Sequence, residues 1–153
     1  MSTRSLFIVL LVVFPWFCAC TKDVGPPKPP VSLPFAVQQA GSRIETELQV
    51  TEHRSYLFDL QLMYKEGDEE DRKRVRKLAG GAGVDKNGKV IEPGVPIAVR
   101  FKINAIDVSG ERPMLDKEIS ELTLAGWGAN FFNKRIAAVT LKPGHYRISI
   151  ESL

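Results

Sequence analysis

Cysteine and histidine are the side chains in this sequence best suited to nucleophilic, acid–base or metal chemistry, and the chain has two of each. His53 comes at the start of a predicted strand and His145 at a predicted tight turn, so we expect both imidazoles to be solvated rather than catalytic. The sequence has no nucleophile elbow, phosphate-binding loop or zinc-protease helix motif. A serine, a histidine and an aspartate could still converge in space, because catalytic triads are defined by geometry. We nevertheless predict that the protein is not an enzyme and has no catalytic residues.

The two cysteines fit a lipid-attachment site. They lie in Phe17-Cys18-Ala19-Cys20, which follows the basic Arg4 and an apolar run from Leu6 to Phe14. That run is shorter than the roughly 20 residues of a membrane-spanning helix, and the order of charge, apolar segment and small residue is that of a signal peptide. The segment resembles the lipobox of bacterial lipoproteins, in which a small residue such as Ala19 precedes the lipid-modified cysteine.

This resemblance implies that residues 1–19 are a lipoprotein signal peptide and that lipid on Cys20 anchors the mature protein in a membrane. A simple secretory signal is the alternative. Thr21, rather than an aspartate, follows Cys20, which indicates the periplasmic face of the outer membrane as the destination. Since Cys18 would leave with the signal, the mature chain would keep no thiol for catalysis or for zinc.

Metal, cofactor and nucleic acid are not expected as ligands. Asp85, Asn87 and Glu92 carry side-chain oxygens of the kind that bind calcium, but their spacing does not match the twelve-residue calcium loop. Acidic and basic side chains are interspersed along the chain, and the formal net charge is +3, so no nucleic-acid surface is predicted.

Five prolines between Val24 and Pro34 predict that residues 20–34 form an extended tether, because proline-rich segments favour the polyproline conformation. A ligand for a proline-recognition domain is the alternative. The remaining residues, 35–153, have the length of one domain.

Alternating apolar and polar residues predict about seven strands in this domain. Residues 43–51 and 56–64 are predicted to be adjacent antiparallel strands. The second of these is predicted to lie centrally in its sheet, because Leu57 and Met63 make its other face apolar too. Residues 96–107, with the clearest alternation, are also predicted to be central.

The pattern changes phase between residues 115 and 124, as a bulge or a change of sheet would require. Residues 136–141 and 145–151 are predicted to form a terminal hairpin. Together these signals predict an all-β fold: an antiparallel β-sandwich of immunoglobulin-like or related topology with one short inserted helix.

The inserted helix is predicted between Lys65 and Gly83, with Asp68 as its N-cap. Acidic residues crowd its first turn and basic residues follow, which matches the helix dipole, and oppositely charged residues recur at i, i+4. The bases Arg72, Arg74 and Arg76 make the helix a candidate docking surface, and a solvated face is the alternative.

The segment from Gly126 to Asn133 is predicted to be an aromatic loop with partner-binding candidates at Trp127, Asn130, Phe131 and Phe132. Aromatic side chains dominate both sugar-stacking sites and protein hot spots. The alternative is that Trp127 plugs the end of the core.

The domain also resembles a family of small Gram-negative lipoproteins catalogued as a domain of unknown function. The resemblance covers residues 32–153. It is carried by Glu52-His53-Arg54-Ser55-Tyr56, Tyr64-Lys65-Glu66-Gly67-Asp68, Gly110-Glu111-Arg112-Pro113 and the turn from Lys142 to Tyr146. It implies a β-sandwich and no catalytic residues. Such lipoproteins are similar to some that are encoded beside type VI secretion toxins and act as periplasmic immunity proteins.

The functional prediction is therefore a membrane-anchored periplasmic lipoprotein that acts as a non-catalytic protein-binding module. Its expected partners are the membrane, through the lipid on Cys20, and a secreted toxin or an envelope protein. If the partner is a secreted toxin, the protein would be an immunity protein. The alternative is a structural or carbohydrate-binding envelope lipoprotein.

Overall fold

A computed structural model of the chain describes residues 25–81 and 83–153. The predicted signal peptide, residues 1–19, and the predicted lipidation site, Cys20, lie outside the described residues. Among the residues described, no helix has the length and apolar character needed to cross a membrane.

The described chain forms two antiparallel sheets and one helix. The elements are β1 (Arg43–Val50), β2 (Arg54–Met63), α1 (Glu69–Ala79), β3 (Val99–Asp107), β4 (Gly110–Ile119), β5 (Thr123–Trp127), β6 (Phe131–Leu141) and β7 (Gly144–Ser152). A four-stranded sheet has the order β1-β7-β3-β4, and a three-stranded sheet has the order β2-β6-β5. The predicted all-β sandwich with one short helix is confirmed.

The strand order is not that of an immunoglobulin constant domain. There the first strand pairs with the second, and the third pairs with the sixth. Here β1 pairs with β7, and β3 lies between β7 and β4. The topology is thus of the related kind that the sequence left open.

The alternating apolar residues of both sheets meet in one core. Val99, Phe101 and Ile103 of β3 are fully buried, which agrees with the predicted central position of this strand. Leu48 of β1 and Leu60 of β2 join them from the outer strands of the two sheets. Since successive side chains of a strand point to opposite faces, each strand contributes every second residue.

The predicted pairing of the first two strands is wrong. β1 and β2 lie in different sheets, and β2 is an edge strand, so Leu57 and Met63 are outward-facing and more than half exposed rather than marks of a central strand. The alternation shows which face of each strand is buried. The buried face is the same whether two successive strands pair in one sheet or face each other across the core, so alternation cannot tell these arrangements apart. The connection Thr51-Glu52-His53 is long enough to cross the roughly 10 Å between packed sheets.

The predicted terminal hairpin is wrong for the same reason. β6 belongs to the three-stranded sheet and β7 to the other, so the two strands face each other across the core instead of pairing. The change of phase between residues 115 and 124 is indeed a change of sheet, because β4 and β5 also belong to different sheets.

The second half of the predicted tether lies against the domain. The carbonyl of Pro27 accepts a hydrogen bond from the Gln49 N–H at 2.9 Å, and that of Val37 accepts one from Ser152 Oγ at 2.8 Å. Phe35 packs against the core. Residues 27–37, which we call the strap, therefore contact β1, β7 and the core.

Helix α1 has the predicted N-cap and ends at a glycine. The Asp68 side chain accepts a hydrogen bond from the Asp71 N–H, and Gly80 ends the helix with a positive φ of 82°. The ion pairs on its surface join residues i and i+3, not i and i+4 as predicted. Val75 and Ala79 pack on β5 and β6 in a second, smaller apolar cluster. This packing places the polar face of α1 beside the end of the three-stranded sheet.

Candidate functional site

The charged helix and the aromatic segment, predicted as two separate candidates, meet at one surface. They line a shallow pocket of about 270 Å³. We call this surface the basic patch; its residues are Glu69, Arg72, Lys73 and Arg76 of α1, Trp127 of β5 and Phe132 of β6.

The β5–β6 connection determines how the aromatic rings are arranged. Trp127 and Phe132 are opposite each other in the register of the two strands, so the predicted long loop is a short turn at residues 128–130. The Gly128 N–H donates to Phe131 O at 2.9 Å. The Tyr64 hydroxyl donates to Ala129 O at 2.8 Å, which ties the turn to the chain after β2.

Trp127 and Phe132 differ in burial. Trp127 is 72% exposed, so the alternative that it plugs the end of the core is wrong. Phe132 is 5% exposed and belongs to the apolar cluster under α1. Because Phe132 is a packing residue, only Trp127 offers a large free aromatic surface to a partner.

The electrostatics of the patch are those of a basic surface with one acidic member. Arg72 lies 3.3 Å from Glu69, and the hydrogen bond and charge of that carboxylate raise the pKa of the Arg72 guanidinium above its usual value. Lys73 pairs in the same way with Glu70 at the patch margin. The guanidinium carbon of Arg76 lies 5.8 Å from the centre of the Phe132 ring, within the range of cation–π attraction.

Arg76 makes no salt bridge within residues 25–81 and 83–153, so its charge is available to a partner. Three bases and one acid give the patch a formal charge of +2.

Three predicted candidates lie outside the pocket. Arg74 is bound to Asp71 at 2.7 Å. Asn130 uses its backbone carbonyl to accept the Tyr64 N–H at 2.9 Å. The half-buried ring of Phe131 covers Gly128 closely enough that a Cβ there would overlap it.

Glu69 and Lys73 belong to the patch and were not singled out from the sequence. A signal for them exists, because positions 69, 72, 73 and 76 follow the i, i+3, i+4, i+7 spacing of one helix face. On an α-helix Arg74 lies about 200° around the axis from Arg72, which explains why it faces away.

The two histidines do not assemble a site. His53 and His145 are both exposed. In the part of the chain that the structure covers, no group of three or more His, Cys, Asp or Glu side chains is arranged to hold a metal ion.

Comparisons with known proteins concern the same domain. In a search of solved structures, the crystal structure of GEBA250068378 from Sulfurospirillum deleyianum matches 80% of this chain and 86% of its own, with a TM-score of 0.62 and 24% sequence identity. At that identity the likeness describes the fold alone. No curated protein matches the chain. The family described as "Domain of unknown function (DUF5625)" matches residues 32–153, which confirms the resemblance to a family of unknown function. The chain belongs to this family.

Proposed function

We propose that the chain is a lipid-anchored protein of the outer membrane, on its periplasmic face, that binds another protein through the basic patch. The proposal rests chiefly on the exposed Trp127 beside Arg72 and Arg76. Tryptophan and arginine are the residues most enriched at the energetic centres of protein interfaces. A partner with acidic side chains around an apolar pocket would complement the patch.

The way in which the patch is built supports recognition of a folded partner. Arg72 and Arg76 are on a helix whose apolar side is buried, and Trp127 is in a strand of the sheet beneath it. Such elements lose little conformational entropy when a partner binds, and this favours affinity. Nothing in the patch resembles a nucleophile with its base, so the proposed role is non-catalytic.

The membrane part of the proposal comes from the sequence before the domain. The lipobox-like residues ending at Cys20 provide the attachment point, and residues 20–26 precede the strap and would separate the domain from the membrane. In its narrowest form the proposal identifies the partner as a toxin of type VI secretion systems, and the protein as the immunity protein that blocks it.

A carbohydrate-binding role is less well supported. That alternative used Trp127, Phe131 and Phe132 together as a stacking platform. Phe132 is buried, and Phe131 covers Gly128, so a single ring remains for a sugar.

Charge reversal on α1 tests the proposal with a control on the same helix. The double variant Arg72→Glu, Arg76→Glu and the single variant Trp127→Ala are compared with Arg74→Glu, which lies outside the patch. The probe is a secreted type VI toxin from the genomic neighbourhood of this chain, and calorimetry measures its binding to each purified variant. We expect the first two variants to lose at least about tenfold in affinity, the effect of about 1.4 kcal/mol, and Arg74→Glu to bind like the wild type.

Survival of cells that export the same secreted protein to the periplasm gives the functional result. Wild type and Arg74→Glu should protect such cells, and the patch variants should not. Equal protection by all variants, or equal binding, would show that the patch is not the interface. Quenching of Trp127 fluorescence by cell-wall sugars, without binding of the secreted protein, would favour the carbohydrate role instead.

A further inference from the structure

The three-stranded sheet ends at β2, and the free side of β2 borders an open groove. The order β2-β6-β5 gives β2 one neighbouring strand, whereas the opposite sheet has four strands. Within the described residues, no backbone hydrogen bond reaches β2 from the side away from β6. At this edge the three-stranded sheet has no strand facing β1 of the four-stranded sheet.

The register shows which backbone groups face the groove. The Tyr64 N–H donates to Asn130 O, so this pair is hydrogen-bonded. Partner residues in an antiparallel ladder alternate between hydrogen-bonded and non-bonded pairs. Every second residue before Tyr64 is therefore bonded to β6 as well. The residues between them turn their N–H and C=O groups away from β6. These residues are Met63, Gln61 and Asp59, and all three line the groove.

The floor of the groove is apolar. Its volume is about 840 Å³, and residues 30–35 of the strap line it together with residues of β1, β2, β6 and β7. Ile44 and Ile150 are only partly buried there, although they belong to the inner face of the four-stranded sheet. The strap does not complete the ladder, because Pro30 and Pro34 have no N–H to donate.

The edge also lacks the usual protection against strand pairing. Edge strands in monomeric proteins commonly carry lysine, proline or an inward charge. After Arg54 at its first position, β2 has no proline, lysine or arginine. The one charged residue, Asp59, is bound by Arg135 of β6. The register irregularity falls between Phe58 and Asp59, so the stretch from Asp59 to Met63 is regular.

We propose that this groove binds an extended peptide segment of a partner protein, which adds to the edge of β2 as a fourth strand. The peptide backbone pairs with the free groups of Asp59, Gln61 and Met63, a span of about 13 Å at roughly 3.3 Å per residue. Every second side chain of the peptide rests on the floor. The site therefore selects segments in which aliphatic and polar residues alternate.

Two other occupants fit the groove less well. An acyl chain would cover the apolar floor but leave the free N–H and C=O groups of β2 without partners, and unpaired groups of this kind are costly when buried. A second copy of the whole domain would bring its own strap and sheets up to β2, and it is a much bulkier occupant than a single extended strand.

Amide hydrogen exchange tests the proposal directly. The probe is a pool of nine-residue peptides in which valine, isoleucine, leucine or phenylalanine alternates with threonine, with a lysine at each end. In the free protein the Gln61 and Met63 amides should exchange quickly, while the Leu62 amide, bonded to β6, exchanges slowly. With 1 mM peptide and a Kd of about 0.1 mM, exchange at Gln61 and Met63 should slow about tenfold, and Leu62 should change little.

A proline variant provides the matched control. Because the Gln61 N–H points away from β6, Gln61→Pro removes a free donor without breaking a ladder bond, as is tolerated in edge strands. We expect Gln61→Pro to abolish binding and Gln61→Thr to retain it. If Gln61→Pro does not fold, N-methylated peptides of the same pool give the equivalent test from the other side.

Several results would overturn the proposal. These are no protection at 1 mM peptide, Gln61 and Met63 amides already slow in the free protein, or binding that survives N-methylation. Binding of palmitate without binding of the peptides would make the groove a lipid site. The groove shares no lining residue with the basic patch, so Trp127→Ala should leave peptide binding intact.

Discussion

Replacing Lys134 with methionine is expected to loosen the attachment of α1 to the sheet. Lys134 is in β6 and its side chain is fully buried. Its Nζ donates hydrogen bonds to the carbonyls of Ala79 and Pro93, each at 3.0 Å. Ala79 is the last residue of α1, whose C-terminal carbonyls have no partner within the helix and attract a cation. One ammonium group thus joins the helix end and the following segment to the strand beneath.

The magnitude follows from what methionine leaves behind. The methionine side chain fills much of the same space but donates nothing, so the buried carbonyl of Ala79 and the partly buried carbonyl of Pro93 lose their partner. Each such group costs about 1–3 kcal/mol. Removing a desolvated charge that has no carboxylate partner among the described residues offsets part of this cost. We therefore expect the free energy of unfolding to fall by about 2–4 kcal/mol, and the Tm by about 10 °C for a domain of this size.

Urea unfolding of the variant, the wild type and the exposed-site control Lys142→Met measures the effect. Burial lowers the pKa of Lys134 below its usual 10.5. Between the lowered folded pKa and 10.5 the unfolded chain binds more protons, so the stability of the wild type should rise with pH across this window. Lys134→Met should lack that rise. A loss under about 1 kcal/mol would refute the reasoning, since it would mean that water replaces the ammonium at both carbonyls.

Three further predictions concern single positions. Phe132→Ala should lower the free energy of unfolding by about 3–5 kcal/mol because it empties part of the cluster under α1, whereas Trp127→Ala should change it by less than about 0.5 kcal/mol; equal effects in urea unfolding would contradict the assigned burial. Gly80→Ala should cost more than the roughly 1–3 kcal/mol expected for a positive φ alone, because its Cβ would overlap the backbone oxygen of Glu92. The control is Gly41→Ala, a positive-φ glycine in open space. A hydrogen bond from an arginine of β3 lowers the pKa of Asp116 from 3.8 to about 2, so its contribution to stability should be present above pH 4 and lost as pH falls toward 2; Asp116→Asn should reduce that acid dependence, and an unchanged dependence would show that the pair contributes nothing.

Local features of the fold were predictable from the sequence. Helix α1 begins after the cap at Asp68 and ends at Gly80 because caps, dipole-matched charges and glycine act within a few residues of each other. Strand β3 lies within the predicted range 96–107 because side-chain alternation is a property of one strand. The sandwich class follows from the number and spacing of such strands.

Strand partners were not predictable in the same way. The apolar face of β2 is buried whether its neighbour is β1 or β6, so alternation alone could not exclude the wrong pairing. The same ambiguity produced the incorrect terminal hairpin of β6 with β7. The partners are decided by whether each short connection stays in one sheet or crosses to the other, and this is a non-local property. Because the connections after β1 and β6 cross, β2 is left at an edge.

The candidate site shows the same division. The amino-acid sequence by itself identified Arg72, Arg76 and the aromatic pair Trp127 and Phe132 as unusual, because their types and clustering are visible along the chain. Their meeting depends on α1 packing over β5 and β6, which joins residues about 50 positions apart. Which ring is free and which is buried depends on the same packing, because the helix covers Phe132 and leaves Trp127 exposed. Residue chemistry is encoded locally, whereas exposure and proximity arise only when distant segments share one core.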